Sequence, residues 1–384
     1  MNSIETIICL ILLLMAVPDL CRKLGHPALG NVFFVLFGLV LAPLLQKDVT
    51  IMVTQAGEVG FLLVLFEVGL DIDLPTFREL LPSLRFAFLW MLVQYPLVMG
   101  LARFSGLTPA EGFLATAALS SCSLSMAYLG WKHYPGLPGG SRAYVLQIMI
   151  ALEVLAIVVI SAGAIGVASG LGWSIVFKLA GMGVTIYLIS RFSTHVVKLF
   201  QWIIAKTTHW RVHFLVLLVL IICSIGERLG LAAPKTAFFL GLFMSKAEFA
   251  GQSVEEYIAP ISRGFLIPVF FVSLGMLIDA HQLISLLALL ALLAAGVLIG
   301  YREVLHRRWL RTGGDARAYL LLCPNLTMAA LAAKSLLATH SQLAATWVVL
   351  CGLFISVISL LLLPRNKDES VTAAVPVAEP APKN

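Results

Sequence analysis

From Ala143 to Ala168 the chain runs for 26 residues with one charged side chain, Glu153, near its middle. An α-helix needs roughly 20 apolar residues to cross a hydrocarbon core about 30 Å thick, so this stretch is long enough to span a membrane. A carboxylate at that depth costs about 3 kcal/mol even on the lenient insertion scales, and it rarely persists there without a task. The rest of the chain follows suit. Its 384 residues are 60% hydrophobic and 12% charged, with a mean hydropathy of +0.98, whereas soluble domains carry about 25% charged residues. The sequence therefore predicts an all-α integral membrane protein. Its spans use up residues 1–363 and leave no room for a second folded domain.

Apolar runs bounded by Pro, Gly and charge predict about thirteen transmembrane helices, near 4–20, 29–45, 51–70, 84–102, 109–130, 143–168, 172–191, 212–227, 231–246, 264–279, 282–301, 316–337 and 343–363. The first run lacks a basic start and a small-residue cleavage site, so it is a span and not a secretory signal. Pro364 opens a tail to Asn384, rich in Pro, Ala and charge, that is expected to be disordered. The six cysteines lie in or beside apolar runs with no paired spacing, which suggests neither a disulfide frame nor a zinc site.

Placing the N-terminus outside puts only Lys47, Arg103, Arg228 and Lys235 in outer loops and Lys178 and Lys334 within spans, so twenty of the 26 Lys and Arg fall inside. That bias predicts an N-out, C-in orientation and an odd number of helices. Basic residues so placed set orientation, and no nucleic-acid partner is expected.

The two halves also match at a nearly constant offset. Leu24-Gly25 followed by Val32-Phe33-Phe34-Val35 recurs 205 residues later as Leu229-Gly230 followed by Ala237-Phe238-Phe239-Leu240. The stretch from Phe66 to Asp73 resembles the one from Phe271 to Asp279, with Gly69 and Gly275 shifted by 206. Inverted six-helix repeats, about 4–168 and 212–363, joined by a linker helix at about 172–191, would give the plan of many secondary transporters.

The same offset lays the polar run Ser120-Ser121-Cys122-Ser123 of the fifth span on Asn325-Leu326-Thr327 of the twelfth, where Pro324 removes a backbone hydrogen bond. Broken helices of this kind are tolerated where their freed ends face a polar cavity, and their opposed dipoles need compensating charge. The alternative is that the serines merely bond back to their own helix carbonyls. Ser121, Cys122, Ser123, Asn325 and Thr327 are the candidate lining of the crossing. Glu153 follows as the switchable ligand, since desolvation favours its protonated form and a cation its charged form. Lys334, two turns beyond Thr327, is a candidate for charge compensation, with snorkelling to the outer surface as the alternative. Glu67 and Asp71, one helical turn apart, are expected as solvated entrance charges.

The run from Leu65 to Asp73, the serines Ser120 and Ser121, the segment Leu152-Glu153-Val154-Leu155-Ala156 and the phenylalanine-rich run from Gly264 to Met276 together resemble the monovalent cation:proton antiporter-2 family, which includes the Kef-type potassium efflux systems. The likeness runs from about Leu10 to Leu363. It implies a six-helix core that slides as an elevator against a dimerising panel, exchange of sodium or potassium for protons, and a homodimer in the cell's inner membrane. Three features depart from the family. Glu153 stands where relatives usually carry aspartate, and Leu152 stands where they carry a polar neighbour. The core lysine of the eleventh helix is replaced by nothing nearer than Arg302 at its end. Too few residues follow the last span for the Kef-type nucleotide-binding domain.

The sequence thus points to a cation/proton antiporter with Glu153 as its carrier carboxylate. A channel without proton coupling and a non-transporting membrane subunit are the rivals. No cofactor is expected. No paired carboxylates, histidine cluster or nucleophile elbow lie in register with the spans, so an enzyme is not expected. The partners are the lipid bilayer, a monovalent cation and protons.

Overall fold

The computed structural model describes residues 3–23, 29–70, 77–132, 134–169, 211–228, 233–245, 248–249, 252–278, 280–308 and 315–364. The expected linker helix at 172–191 and all but the first residue of the expected tail lie outside them. The described part is helical apart from a two-residue antiparallel pairing of β1 (Glu248–Phe249) with β2 (Gln252–Ser253). Eight of its helices are long and apolar enough to cross a membrane.

One packing group comprises α1 (Ser3–Lys23), α2 (Gly30–Leu41), α3 (Lys47–Leu70), α8 (Arg211–Arg228), α9 (Ala233–Met244), α10 (Val254–Ile261) and α11 (Ile267–Met276), with α3 laid against α9 and α11 and α2 against α11. The tenth expected span begins earlier than its apolar run. α10 carries Pro260, and a π-turn at Ser262–Leu266 joins it to α11. A proline removes an i→i−4 bond, and the wider turn absorbs the fault.

Backbones in this group approach to contact at two reciprocal crossings. A Cβ on Gly38 of α2 would strike the carbonyl oxygen of Val272 in α11, and one on Gly275 of α11 would strike that of Val35 in α2. In α3 and α9, Gly241 meets the carbonyl of Phe66, and Gly69 that of Phe238. Only glycine lets two helices close to that distance. The second crossing matches the first in residue number, with Gly38 and Val35 lying 203 residues before Gly241 and Phe238, and Phe66 and Gly69 lying 206 before Val272 and Gly275. The contacts therefore pair α2 with α9 through their glycines, two residues out of step with the aromatic match read from sequence. Steric closure at a crossing is set by the residue that lacks a side chain, and the phenylalanines beside it are free to turn elsewhere.

The other group holds α4 (Phe77–Phe104), α5 (Pro109–Leu119), α6 (Leu124–Lys132), α7 (Gly139–Ser169), α12 (Leu286–Arg308), a 3₁₀ turn (Ala318–Leu322), α13 (Leu326–Leu337) and α14 (Gln342–Leu362). Here α4 lies on α5 and α7, α13 on α14 and α5, and α14 on α12. The span from Ala318 to Leu337 is the most enclosed of all the candidate spans. By contrast α1 turns Ile4, Ile7, Ile8, Leu12 and Met15 outward, an apolar face suited to lipid.

Candidate ion site at the crossing of two broken helices

α5 begins with a capping box, in which Thr108 and Glu111 exchange side-chain and backbone hydrogen bonds and Pro109 occupies the first turn. The helix stops at Leu119. Four residues, Ser120 to Ser123, run out of helix before α6 starts at Leu124. Opposite it, the 3₁₀ turn ends at Leu322, and Cys323, Pro324 and Asn325 separate it from α13. Pro324 lacks an N–H and disfavours helix at the residue before it, so the second break is written into the chain.

Each link satisfies the other. The Ser123 amide donates to the Pro324 carbonyl at 2.6 Å. The Asn325 Nδ2 donates to the Leu119 carbonyl at 2.9 Å, and the Cys122 thiol to the Leu321 carbonyl at 3.3 Å. The hydroxyls of Ser123 and Thr327 are 2.9 Å apart. All of these side chains are buried. Buried backbone groups released from a helix must find partners elsewhere, and here they find them on the facing link.

Two broken helices also leave four uncompensated ends at this depth, with N–H groups at the starts and carbonyls at the stops. Glu153, fully buried on α7, takes one start, its Oε2 accepting from the Leu124 N–H at 3.0 Å. Arg302, fully buried on α12, takes the stops. Its Nη1 donates to the carbonyls of Leu322 and Cys323 at 3.4 and 3.3 Å, and its Nη2 donates to that of Leu119. The Arg302 Nε donates to the Gln94 Oε1 of α4 at 2.7 Å. A carboxylate on a helix start and a guanidinium on the helix stops place opposite charges on opposite dipole ends.

The crossing offers hard oxygen donors to a cation: the Glu153 carboxylate, the Ser123 and Thr327 hydroxyls, and the Asn325 Oδ1, which is buried and makes no hydrogen bond. Oxygen sets of this kind suit alkali cations. Among the described residues no group of three or more His, Cys, Asp or Glu could hold a metal ion. Beyond the crossing, Tyr134 donates to Asp315 at 3.0 Å and His306 Nε2 lies 2.7 Å from the Asp315 carbonyl, tying the end of α6 to that of α12. Burial, then the bond to Asp315, holds the Tyr134 hydroxyl above its ordinary range.

Of the side chains expected from sequence, the structure brings Glu153, Cys122, Ser123, Asn325 and Thr327 together. Ser121 is buried beside them, but its hydroxyl bonds back to the Ala118 carbonyl at 2.6 Å, and Ser120 does likewise to Thr116. Lys334 is not brought there. Its ammonium pairs with Glu58 of α3 at 3.4 Å and sits 4.7 Å from the centre of the Phe61 ring, so it spans the two packing groups. The side chain lies on the flank of α13, well past the break. Arg302 occupies the compensating position instead, because α12 continues through Arg308 where the apolar run ended before Arg302. Glu67 is not a solvated entrance charge either. It is buried, bonded to the Ser262 hydroxyl and paired with Arg263 at 3.0 Å, since the π-turn swings both partners onto α3. Asp71 lies outside the described residues. Gln94 was legible only as an amide in the middle of an apolar span.

The chain resembles known proteins over almost its whole length. The family described as "Sodium/hydrogen exchanger, transmembrane" matches residues 9–364. A probable Na(+)/H(+) antiporter 3 from Methanocaldococcus jannaschii is 24% identical over 274 residues, covering 68% of each chain. The Na(+)/H(+) antiporter NhaS5 of Synechocystis sp. is 26% identical over 78% of this chain and 43% of its own. The glutathione-regulated potassium-efflux system protein KefC of Salmonella arizonae is 28% identical over 70% of this chain and 45% of its own. The chain thus spans less than half the length of the last two. The solved sodium proton antiporter MjNhaP1 of Methanocaldococcus jannaschii superposes with a TM-score of 0.67 at 15% identity, covering 94% of this chain and 95% of that one, so the fold is shared. With crossed broken helices, a buried acid and a family match from residue 9 to residue 364, this multi-pass membrane protein belongs to the transmembrane sodium/hydrogen exchanger family.

Proposed function

We propose that the protein is a secondary antiporter that exchanges a monovalent cation for protons, with Glu153 as the group that carries one or the other. The observation that carries this reading is Glu153 itself, a fully buried carboxylate on the start of one broken helix while Arg302 compensates the stops of both. Proton and cation compete for one group, and alternating its exposure between the two sides is sufficient for exchange. Ser123, Asn325 and Thr327 supply neutral oxygens that replace part of the cation's hydration. Ser121 and Cys122 shape the link that carries them.

Alternating exposure is assigned to an elevator motion, in which the group holding the crossing slides against the glycine-tight group. The sparse packing between the groups among the described residues and the reciprocal glycine contacts within one of them support this plan of two inverted repeats. The outward apolar faces of α1 and α12 suit lipid or a second copy of the chain, and we assign the protein as a homodimer in the inner membrane, N-terminus outside. The function needs no cofactor and no covalent chemistry.

In proteoliposomes, sodium, potassium or lithium added in turn to collapse an imposed pH gradient names the transported ion. Glu153→Gln is expected to abolish that collapse for every ion, and full exchange in this variant would refute the reading. A steady cation current indifferent to the pH gradient would favour a channel.

A further inference from the structure

The guanidinium that compensates the helix stops is itself held in place by a residue of α4. Arg302 has no exposed surface, yet the partners of its guanidinium are neutral: three backbone carbonyls and the side-chain oxygen of Gln94. The orientation of Gln94 is itself fixed, because its Nε2 donates to the Trp90 carbonyl one turn back at 2.7 Å, and it is fully buried on α4. That bond leaves only the Oε1 to face Arg302.

The choice of an amide has a consequence for charge. A guanidinium carries five N–H donors in a rigid fork and does not lose its proton. An apolar residue at position 94 would leave the Nε–H without an acceptor and free the fork to tilt away from the helix stops. A carboxylate would satisfy the same N–H but cancel the charge. An amide oxygen satisfies the donor and leaves the full positive charge at the crossing, where it favours the ionised form of Glu153 and opposes an entering cation. We propose that Gln94 is a positioning residue for the exchange: it aims Arg302 at the Leu119, Leu322 and Cys323 carbonyls and keeps its charge uncancelled, setting how evenly proton and cation compete at Glu153. The charged and titratable groups that share the crossing with Glu153 are Arg302, Cys122 and Cys323. The proposal rests on Glu153 being the exchange site.

The test measures exchange against pH and cation concentration in proteoliposomes for wild type, Gln94→Glu, Gln94→Met and Glu153→Gln. Gln94→Glu places a carboxylate on Arg302, so proton and cation are both held more tightly. The pH of half-maximal exchange is expected to rise by about one unit, and the apparent KM for the cation at alkaline pH to fall several-fold. Gln94→Met keeps the volume and loses the acceptor. It is expected to lower kcat about tenfold, in line with other residues that fix a catalytic geometry. A wild-type pH profile and KM in folded Gln94→Glu, or wild-type kcat in Gln94→Met, would overturn the assignment. If neither variant is monodisperse, Gln94→Asn decides by the same readouts, and its failure to fold as well assigns position 94 to packing alone. Unchanged exchange in Glu153→Gln sinks the exchange-site reading whatever the Gln94 variants do, so the two failures are told apart.

Discussion

Two kinds of helix crossing hold this protein together, and they are built on opposite terms. At the glycine crossings, α2 on α11 and α3 on α9, uninterrupted helices close until one backbone touches the other. At the polar crossing both helices are unwound, and the freed peptide groups are consumed by the facing link, by Glu153 and by Arg302. The first arrangement gains contact and needs only the absence of a side chain. The second exposes peptide dipoles to a medium without water, where an unmet group costs about 1–3 kcal/mol, so each must be matched. The difference is one of chemistry: the glycine crossings are held by backbone contact, and the polar crossing encloses a buried carboxylate and a buried guanidinium.

The largest effect is expected at Arg302. Arg302→Met removes the charged side chain on the helix stops and leaves the Leu322 and Cys323 carbonyls without that donor. Each buried carbonyl left without its donor costs about 1–3 kcal/mol, so a large drop in the melting temperature and loss of exchange are expected. Arg302→Lys keeps the charge without the fork and should recover folding better than transport. If Arg302→Met melts and transports like wild type, helix stops at this depth need no compensation, and the contrast drawn above fails.

Gly275→Val probes the other term. Its branched side chain would meet the Val35 carbonyl, and overpacking of this kind costs about 1–3 kcal/mol. The expected result is a lower melting temperature with the pH profile of the surviving protein unmoved, since the clash is with a backbone carbonyl and changes no charge. A shifted pH profile would mean that the glycine crossing and the site are not separate.

The smallest effect is expected between the groups. Lys334→Gln removes an ion pair with Glu58 whose partners are about one third and two thirds exposed, together with the contact to Phe61. Such exposed pairs contribute about 0.2–1 kcal/mol, screened by salt. A change of a few-fold in exchange rate that fades at high ionic strength is expected. Loss of exchange would return Lys334 to the crossing as its compensating charge.

Much of this was legible because it is local. Span lengths follow from apolar runs, the first break from Ser120 to Ser123, the second from Pro324, and the importance of Glu153 from its isolation in an apolar helix. What escaped was always a partner. Arg302 reads as the start of a basic loop, because in sequence a charge at the end of an apolar run looks the same whether the helix stops or continues. Lys334 reads equally as a compensator, because it shares a span with the break, or as a snorkelling charge, and only the direction of its side chain sends it to Glu58.

Hydrophobic length, proline and hydroxyl runs act within a turn or two of themselves, so a helical membrane protein with two polar interruptions and an acid in the middle of an apolar helix follows from the order of residues alone. Which charges answer which helix ends depends on how distant segments pack. Leu124 and Glu153 are 29 residues apart, Leu119 and Arg302 183, and Gln94 and Arg302 208. The energy of a buried charge depends on what lies within a few ångströms of it in space, and no spacing along the chain fixes that.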